Sequence, residues 1–184
     1  VVSGTGGGRH DCVENRREGL AIDSSAHNVV EGNTFENNTS GGVFLYRNCW
    51  EHADDPSQGQ VYRWQHSDFN VIRNNIFRDE PIGVWIASRQ SMDLKSWGCG
   101  DTPMGGDPRY YRDYADNNTV EGNTFCNVQV PVRVEGDRNI IRENGFDRAN
   151  KTQVEMPMTK RAQLMNLPSI GNVLSGSKEI TCPK

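Results

Sequence analysis

With 184 residues, a net charge of −4, and 34% apolar against 24% charged side chains, the chain suits one polar, globular domain. It has no apolar run of the ~20 residues a membrane span requires, and no basic stripe that would hold nucleic acid by neutralising phosphates. The opening Val1-Val-Ser-Gly-Thr-Gly-Gly-Gly8 lacks a basic segment followed by an apolar one, so no signal peptide is expected in it.

From the N-terminus, the first regular run is Gly19-Leu-Ala-Ile-Asp23. A phrase then begins, Asn28-Val-Val-Glu-Gly-Asn33-Thr-Phe35. It returns as Asn70-Val-Ile-Arg-Asn-Asn75-Ile-Phe77, Asn118-Thr-Val-Glu-Gly-Asn123-Thr-Phe125 and Asn139-Ile-Ile-Arg-Glu-Asn144-Gly-Phe146. The leading asparagines are 42, 48 and 21 residues apart, so a unit of about 21 recurs and two copies are lengthened by insertions. Between copies stand Gly42-Val-Phe-Leu-Tyr-Arg47, Gly83-Val-Trp-Ile-Ala-Ser88 and Pro131-Val-Arg-Val-Glu135, in the same frame as the first run. Each unit predicts two short strands punctuated by Asn and Gly, and no stretch sustains a helical period.

A unit this short cannot bury its apolar face alone, but stacked copies can. The predicted fold is all-β: a single-stranded right-handed parallel β-helix with two long insertions, at 49–69 and 91–117, on one face. Regular rungs are expected over about 10–160 and an irregular rung or cap over 161–184, all in one domain, 1–184. Thr152-Gln-Val-Glu-Met-Pro157 reads as the last second strand, and Ser169-Ile-Gly-Asn-Val-Leu-Ser-Gly176 as one more irregular rung or a cap. A leucine-rich solenoid of similar period would need a recurring Leu-x-x-Leu-x-Leu phrase, which is missing.

Strand alternation sets the register. Leu20, Val43, Val84 and Val132 form one inward column and Ile22, Leu45, Ile86 and Val134 another. Cys12, Phe35, Phe77, Phe125 and Phe146 are expected to stack inward as well. Asn33, Asn75, Asn123 and Asn144 read as corner residues whose amides satisfy backbone groups.

On these rungs, roughly residues 10–160, the chain resembles the right-handed parallel β-helix repeat superfamily. Its members include polysaccharide lyases, mannuronan C5-epimerases, glycan hydrolases and the periplasmic copper-associated proteins of nitrous oxide reductase maturation. The resemblance is specific for fold, because this scaffold hosts several chemistries. The Asp-Pro-His-Asp type phrase of the epimerases has no counterpart; the nearest strings are His10-Asp11 and Gly106-Asp107-Pro108-Arg109.

Residues between the inward ones face outward: Ala21, Phe44, Trp85 and Arg133 in one column, Asp23, Tyr46, Ala87 and Glu135 in the next. Phe44 beside Trp85 predicts an aromatic platform for a sugar ring, flanked by Tyr46, Asp23, Arg47, Arg89 and Arg133, with Glu135 a further candidate substrate contact; the alternative is that the insertions roof both aromatics. The insertions leave after the second strands of successive rungs and should lie side by side. They concentrate Trp50, Trp64, Trp97, Tyr62, Tyr110, Tyr111 and Tyr114 with His52 and His66, a mixture suited to carbohydrate. Trp50, Trp64 and Tyr110 are therefore candidate substrate contacts. The alternative is that the loops pack on each other as a lid or bind a protein.

Cys49 and Cys99 stand in adjacent insertions, and a disulfide between them would imply an oxidising compartment, secreted or periplasmic. Cys12 and Cys126 read as small buried hydrophobes, and Cys182 has no assigned partner. The four histidines lack zinc-ligand spacing, so no cofactor is expected, with calcium left open and a metal on His52 and His66 a minor alternative. A hydrolase would need two carboxyls about 5–9.5 Å apart. Asp23 and Glu135 stand three rungs apart, leaving the loop acids Glu51, Asp54, Asp55, Asp101 and Asp107. A lyase or epimerase acting on a uronate needs a cation and a base. Arg47 or Arg89 would supply the first, Tyr46 or His52 the second.

The leading expectation is thus a secreted protein acting on an acidic polysaccharide, lyase-like or C5-epimerase-like. The alternative is a non-catalytic glycan-binding or structural solenoid, an adhesin or tail-spike-like segment. Because the N-terminal rung begins without an amphipathic helix, an upstream β-helix segment or partner chain is expected to cover it. The triplets beginning at Asn38, Asn117 and Asn150 fit a glycosylation pattern that an Asn/Thr-rich repeat also generates by chance.

Overall fold

The computed structural model describes residues 2–3, 17–150 and 152–182, so Cys12 and the His10-Asp11 string lie outside the described residues. Three parallel sheets run the length of the molecule, of six, five and five strands. The second strands of the repeat form one of them, Glu18–Asp23, Gly41–Tyr46, Ile82–Ile86, Val130–Val134 and Val154–Glu155. A second sheet holds Val29–Glu31, Val71–Arg73, Thr119–Glu121, Ile140–Arg142 and Val173–Ser175. The third holds Val2–Ser3, Thr34–Glu36, Ile76–Arg78, Thr124–Cys126, Gly145–Asp147 and Lys178–Ile180. The fold is a parallel β-helix.

Each coil therefore has three strands where the sequence pattern suggests two. The repeated phrase is broken in its middle by a left-handed residue, Gly32, Asn74, Gly122 or Glu143, with φ of 68°, 53°, 61° and 56°. This turn throws Thr34–Glu36 and its equivalents into a separate sheet. Strands of three residues are too short for alternation alone to reveal the break.

The core is built of columns. Leu20, Val43, Val84, Val132 and Val154 are successive partners, as are Ile22, Leu45, Ile86 and Val134. Phe35, Phe77, Phe125 and Phe146 are wholly buried, with ring centroids 5.0, 4.8 and 5.3 Å apart and nearly parallel planes. Val30, Ile72, Val120 and Ile141 close the third side.

Corners are polar columns. The Asn28 backbone N–H donates to Asn70 Oδ1 (2.9 Å), Asn70 to Asn118 (2.9 Å), Asn118 to Asn139 (2.8 Å) and Asn139 to Asn172 (2.8 Å). Asn33, Asn75, Asn123 and Asn144 repeat the arrangement at the next corner, and the Asn75 and Asn123 amides donate inward to the Val30 and Ile72 carbonyls. Every buried polar group so paired avoids the cost of an orphan. A further column is aspartate: Asp68 Oδ1 accepts from the Asp116 N–H and Asp116 Oδ1 from that of Asp137, both at 2.8 Å. Its trace in the sequence is an Asp two residues before the leading asparagine, around a left-handed Phe69, Asn117 or Arg138.

After the last strand of the second-strand sheet, the short helix Lys160–Met165 is capped by Thr159, whose hydroxyl accepts from the Ala162 N–H. Its buried Arg161 grips Asp137 with two nitrogens, at 2.6 and 3.0 Å, ending the aspartate column. The tail then returns to the coil and is tied down by a disulfide between Cys126 and Cys182. Cys126 is buried, as a small hydrophobe would be, but it is bonded, and it supplies the partner that the sequence left unassigned for Cys182. Lys178–Ile180 extends the sheet that contains Thr124–Cys126, and so carries Cys182 back to it. No helix among the described residues is long and apolar enough to cross a membrane.

Candidate functional site

The two insertions lie against each other and are joined by a disulfide between Cys49 and Cys99. The His52 and Ala53 N–H groups donate to the Trp97 and Gly98 carbonyls, and the Gly100 N–H returns a bond to Trp50. Both exits from the coil are held by one side chain of the second insertion. Asp113 accepts the Arg47 N–H on Oδ1 (2.7 Å) and the Arg89 N–H on Oδ2 (2.8 Å). Burial pushes its carboxyl up to about 7 against the pull of those two donors. The two arginines therefore start from fixed points, although neither belongs to a strand.

Beneath this roof the outward columns line a cavity of about 540 Å3, walled by Glu18, Phe44, Tyr46, Trp85, Arg89 and Trp97. Phe44 and Trp85 are strand partners in edge-to-face contact at 5.2 Å. Phe44 is only 8% exposed, so the aromatic pair floors a cavity and does not form an open platform. Arg133 lies over the ring of Trp85 at 4.7 Å, and the wholly buried Glu135 accepts from Trp85 Nε1 (3.0 Å), Arg133 Nε (3.1 Å) and the Ser91 hydroxyl (2.6 Å). Arg133 and Glu135 thus lock Trp85 in place instead of facing the cavity.

The Arg89 guanidinium lies over the ring of Tyr46 at 4.3 Å and that of Trp97 at 4.7 Å. Its Nε donates to Asn48 Oδ1 (3.1 Å), and the Asn48 amide donates to Asp23 Oδ2 (2.8 Å). Asp23 consequently acts behind the site, by orienting Asn48. The Tyr46 hydroxyl donates to Glu18 (3.0 Å), and burial followed by the charge of Glu18 pushes the phenol up to about 12. A phenol so placed is a poor proton acceptor at neutral pH.

Other predicted site residues fall elsewhere. Arg47 is buried under the first insertion, ion-paired with Asp101 and donating to the Arg63 carbonyl (2.6 Å). With Trp64, His66, Arg112 and Tyr114 it lines a separate cavity of about 280 Å3. His52 lies with Glu51, Ser96 and Trp97 in a third, of about 320 Å3, and Trp97 is the residue its wall shares with the main cavity. Trp50 packs on Tyr62 within the first insertion, and Tyr110 is buried beneath Arg109 and Lys160. Among the loop acids, Asp107 holds Arg109 and Asp55 caps the turn at Ser57. Glu18, Asn48 and Asp113 carry no signal in the sequence as site residues. Their roles arise from the path of the insertions, which no periodicity describes.

The model of the family described as periplasmic copper-binding protein (NosD) matches residues 7–160. No curated protein and no solved structure gives a match.

Proposed function

This chain belongs to the periplasmic copper-binding protein (NosD) family, and from that premise we propose that it binds a polysaccharide in the cavity between the second-strand sheet and the paired insertions. It is a secreted or periplasmic protein, since the family is periplasmic and two disulfides suit an oxidising compartment. The observation that carries the reading is the aromatic floor: Phe44 and Trp85, in register on adjacent rungs, open to a cavity of the size that ligand sites occupy. Apolar ring faces below and polar groups around the rim are what a pyranose ring, with its C–H faces and equatorial hydroxyls, requires.

Copper, named in the family's description, does not fit the described residues. Cys49, Cys99, Cys126 and Cys182 are consumed in disulfides, which removes them as thiolate ligands. His27 is stacked on Phe69 and His66 on Tyr114, while His52 belongs to another cavity. Among the described residues no three His, Cys, Asp or Glu side chains are grouped to hold a metal.

Titration calorimetry with a panel of oligosaccharides tests the binding. Trp85→Ala is expected to weaken any measured affinity by about tenfold or more, as the loss of a central aromatic contact does. An unchanged affinity would place the ligand elsewhere. The second reading, lyase-like or epimerase-like turnover of an acidic polysaccharide, is favoured by His52 and Glu51, whose cavity shares Trp97 as a wall with the main one. Its mark would be the ultraviolet absorbance of an unsaturated uronate, or epimerised product, lost in His52→Ala. Binding without either leaves the recognition reading alone.

A further inference from the structure

We infer that Arg89 reads a carboxylate on the bound sugar, so that the cavity selects uronate-containing glycans over neutral ones; this rests on the polysaccharide-binding reading above. Arg89 differs from its neighbours. Arg47, Arg112, Arg133 and Arg161 each hold a carboxylate, whereas Arg89 has none in ion-pairing range among the described residues. Its side chain donates from Nε to Asn48 and from Nη1 to the Met92 sulfur (3.2 Å), which leaves Nη2 and the second Nη1 hydrogen without a partner among the described residues. Glu18, the acid among the lining residues, takes the Tyr46 hydroxyl and not the guanidinium.

The cation is also held ready. The rings of Tyr46 and Trp97 lie against it, Asn48 fixes its Nε, and Asp113 fixes its backbone. A planar fork that is oriented before binding loses little freedom when it meets a carboxylate, and two parallel N–H···O bonds suit that anion's geometry. The Tyr46 and Trp97 rings cover part of the guanidinium, which strengthens a contact there relative to a fully exposed pair. The same cavity supplies the Phe44–Trp85 floor for the sugar ring. A ring with a carboxylate at its edge, a hexuronate, meets both requirements.

The test uses three probes on the full chain: hexuronate oligosaccharides from alginate and pectin, the same oligosaccharides with their carboxyls reduced to alcohols, and a sulfated neutral oligosaccharide. Wild-type protein is expected to bind a hexuronate oligosaccharide at least about tenfold more tightly than its reduced counterpart. Arg89→Gln should bring the hexuronate down to the level of the reduced form and leave the reduced form within about twofold. Its retained binding shows that the variant is folded. Arg89→Lys, which keeps the charge and loses the fork, should fall between. Equal losses on both ligands, no loss on either, or a wild-type preference for the reduced or sulfated probe would each overturn the role of Arg89 while leaving glycan binding intact. No binding of any probe would overturn the polysaccharide-binding reading, and this inference with it.

Discussion

The coil and the insertions are held together by opposite means. In the coil, inward and corner residues stand on their like in the next rung: Phe77 between Phe35 and Phe125, and Asn70 between Asn28 and Asn118. Every rung supplies what the next one lacks, so stability is spread over nearest-neighbour contacts. The insertions have no copies to stand on. They rely on single fastenings, the Cys49–Cys99 disulfide, the Arg47–Asp101 pair and the two bonds into Asp113. Repetition makes a smooth scaffold, and the cavity forms where an unrepeated segment is laid over it.

The largest effect expected is in the coil. Phe77→Ala removes a wholly buried ring between two stacked neighbours and should cost about 3–5 kcal/mol in denaturant unfolding. A loss under about 1 kcal/mol would mean that the column is not what holds the rungs.

A smaller effect probes a rung-to-rung contact in which an acid receives an amide, Glu80 beside Asn38. Glu80 Oε1 accepts from the Asn38 amide (2.6 Å) and N–H (3.3 Å), while Oε2 is buried without a partner. Burial, more than the Asn38 bonds offset, pushes its carboxyl from 4.5 up to about 7. The folded state therefore binds a proton between pH 4.5 and 7 that the unfolded chain does not, and stability from this group falls as pH rises through that window. Glu80→Gln should flatten this part of the decline and gain about 1–2 kcal/mol at pH 8, with little change at pH 4.5. An unaltered stability–pH profile would show that the charge is solvated. Asp113, also raised to about 7, contributes a decline of the same sign that persists in this variant.

The smallest effect on the coil is expected from Cys49→Ser combined with Cys99→Ser. Coil unfolding should shift by less than about 1 kcal/mol, while limited proteolysis within 50–66 and 92–110 accelerates and glycan binding weakens. A coil loss of the full ~2–4 kcal/mol typical of a disulfide would erase the distinction between the two regions.

Part of this was legible in advance. The inward columns of Val43 and Leu45 follow from a strand period of two and need no structure. The third sheet is hidden because strands such as Thr34–Glu36 are too short to show alternation, and their break depends on left-handed residues as unlike as Gly32 and Glu143. The aspartate column repeats in sequence but is masked by the insertions that end on it. Of the site, Phe44, Tyr46, Trp85 and Arg89 share the cavity, whereas Arg47, Trp64 and His52 line others.

The sequence by itself determined a parallel coil, its register and the two points where it is interrupted, because these depend on local periodicity repeated along the chain. Which faces the insertions cover was decided only in the tertiary structure. So was the arrangement that leaves Arg89 with no carboxylate of its own, and the bridge from Cys126 to Cys182. Such contacts join residues tens of positions apart through segments without period, and their outcome rests on packing that no spacing encodes.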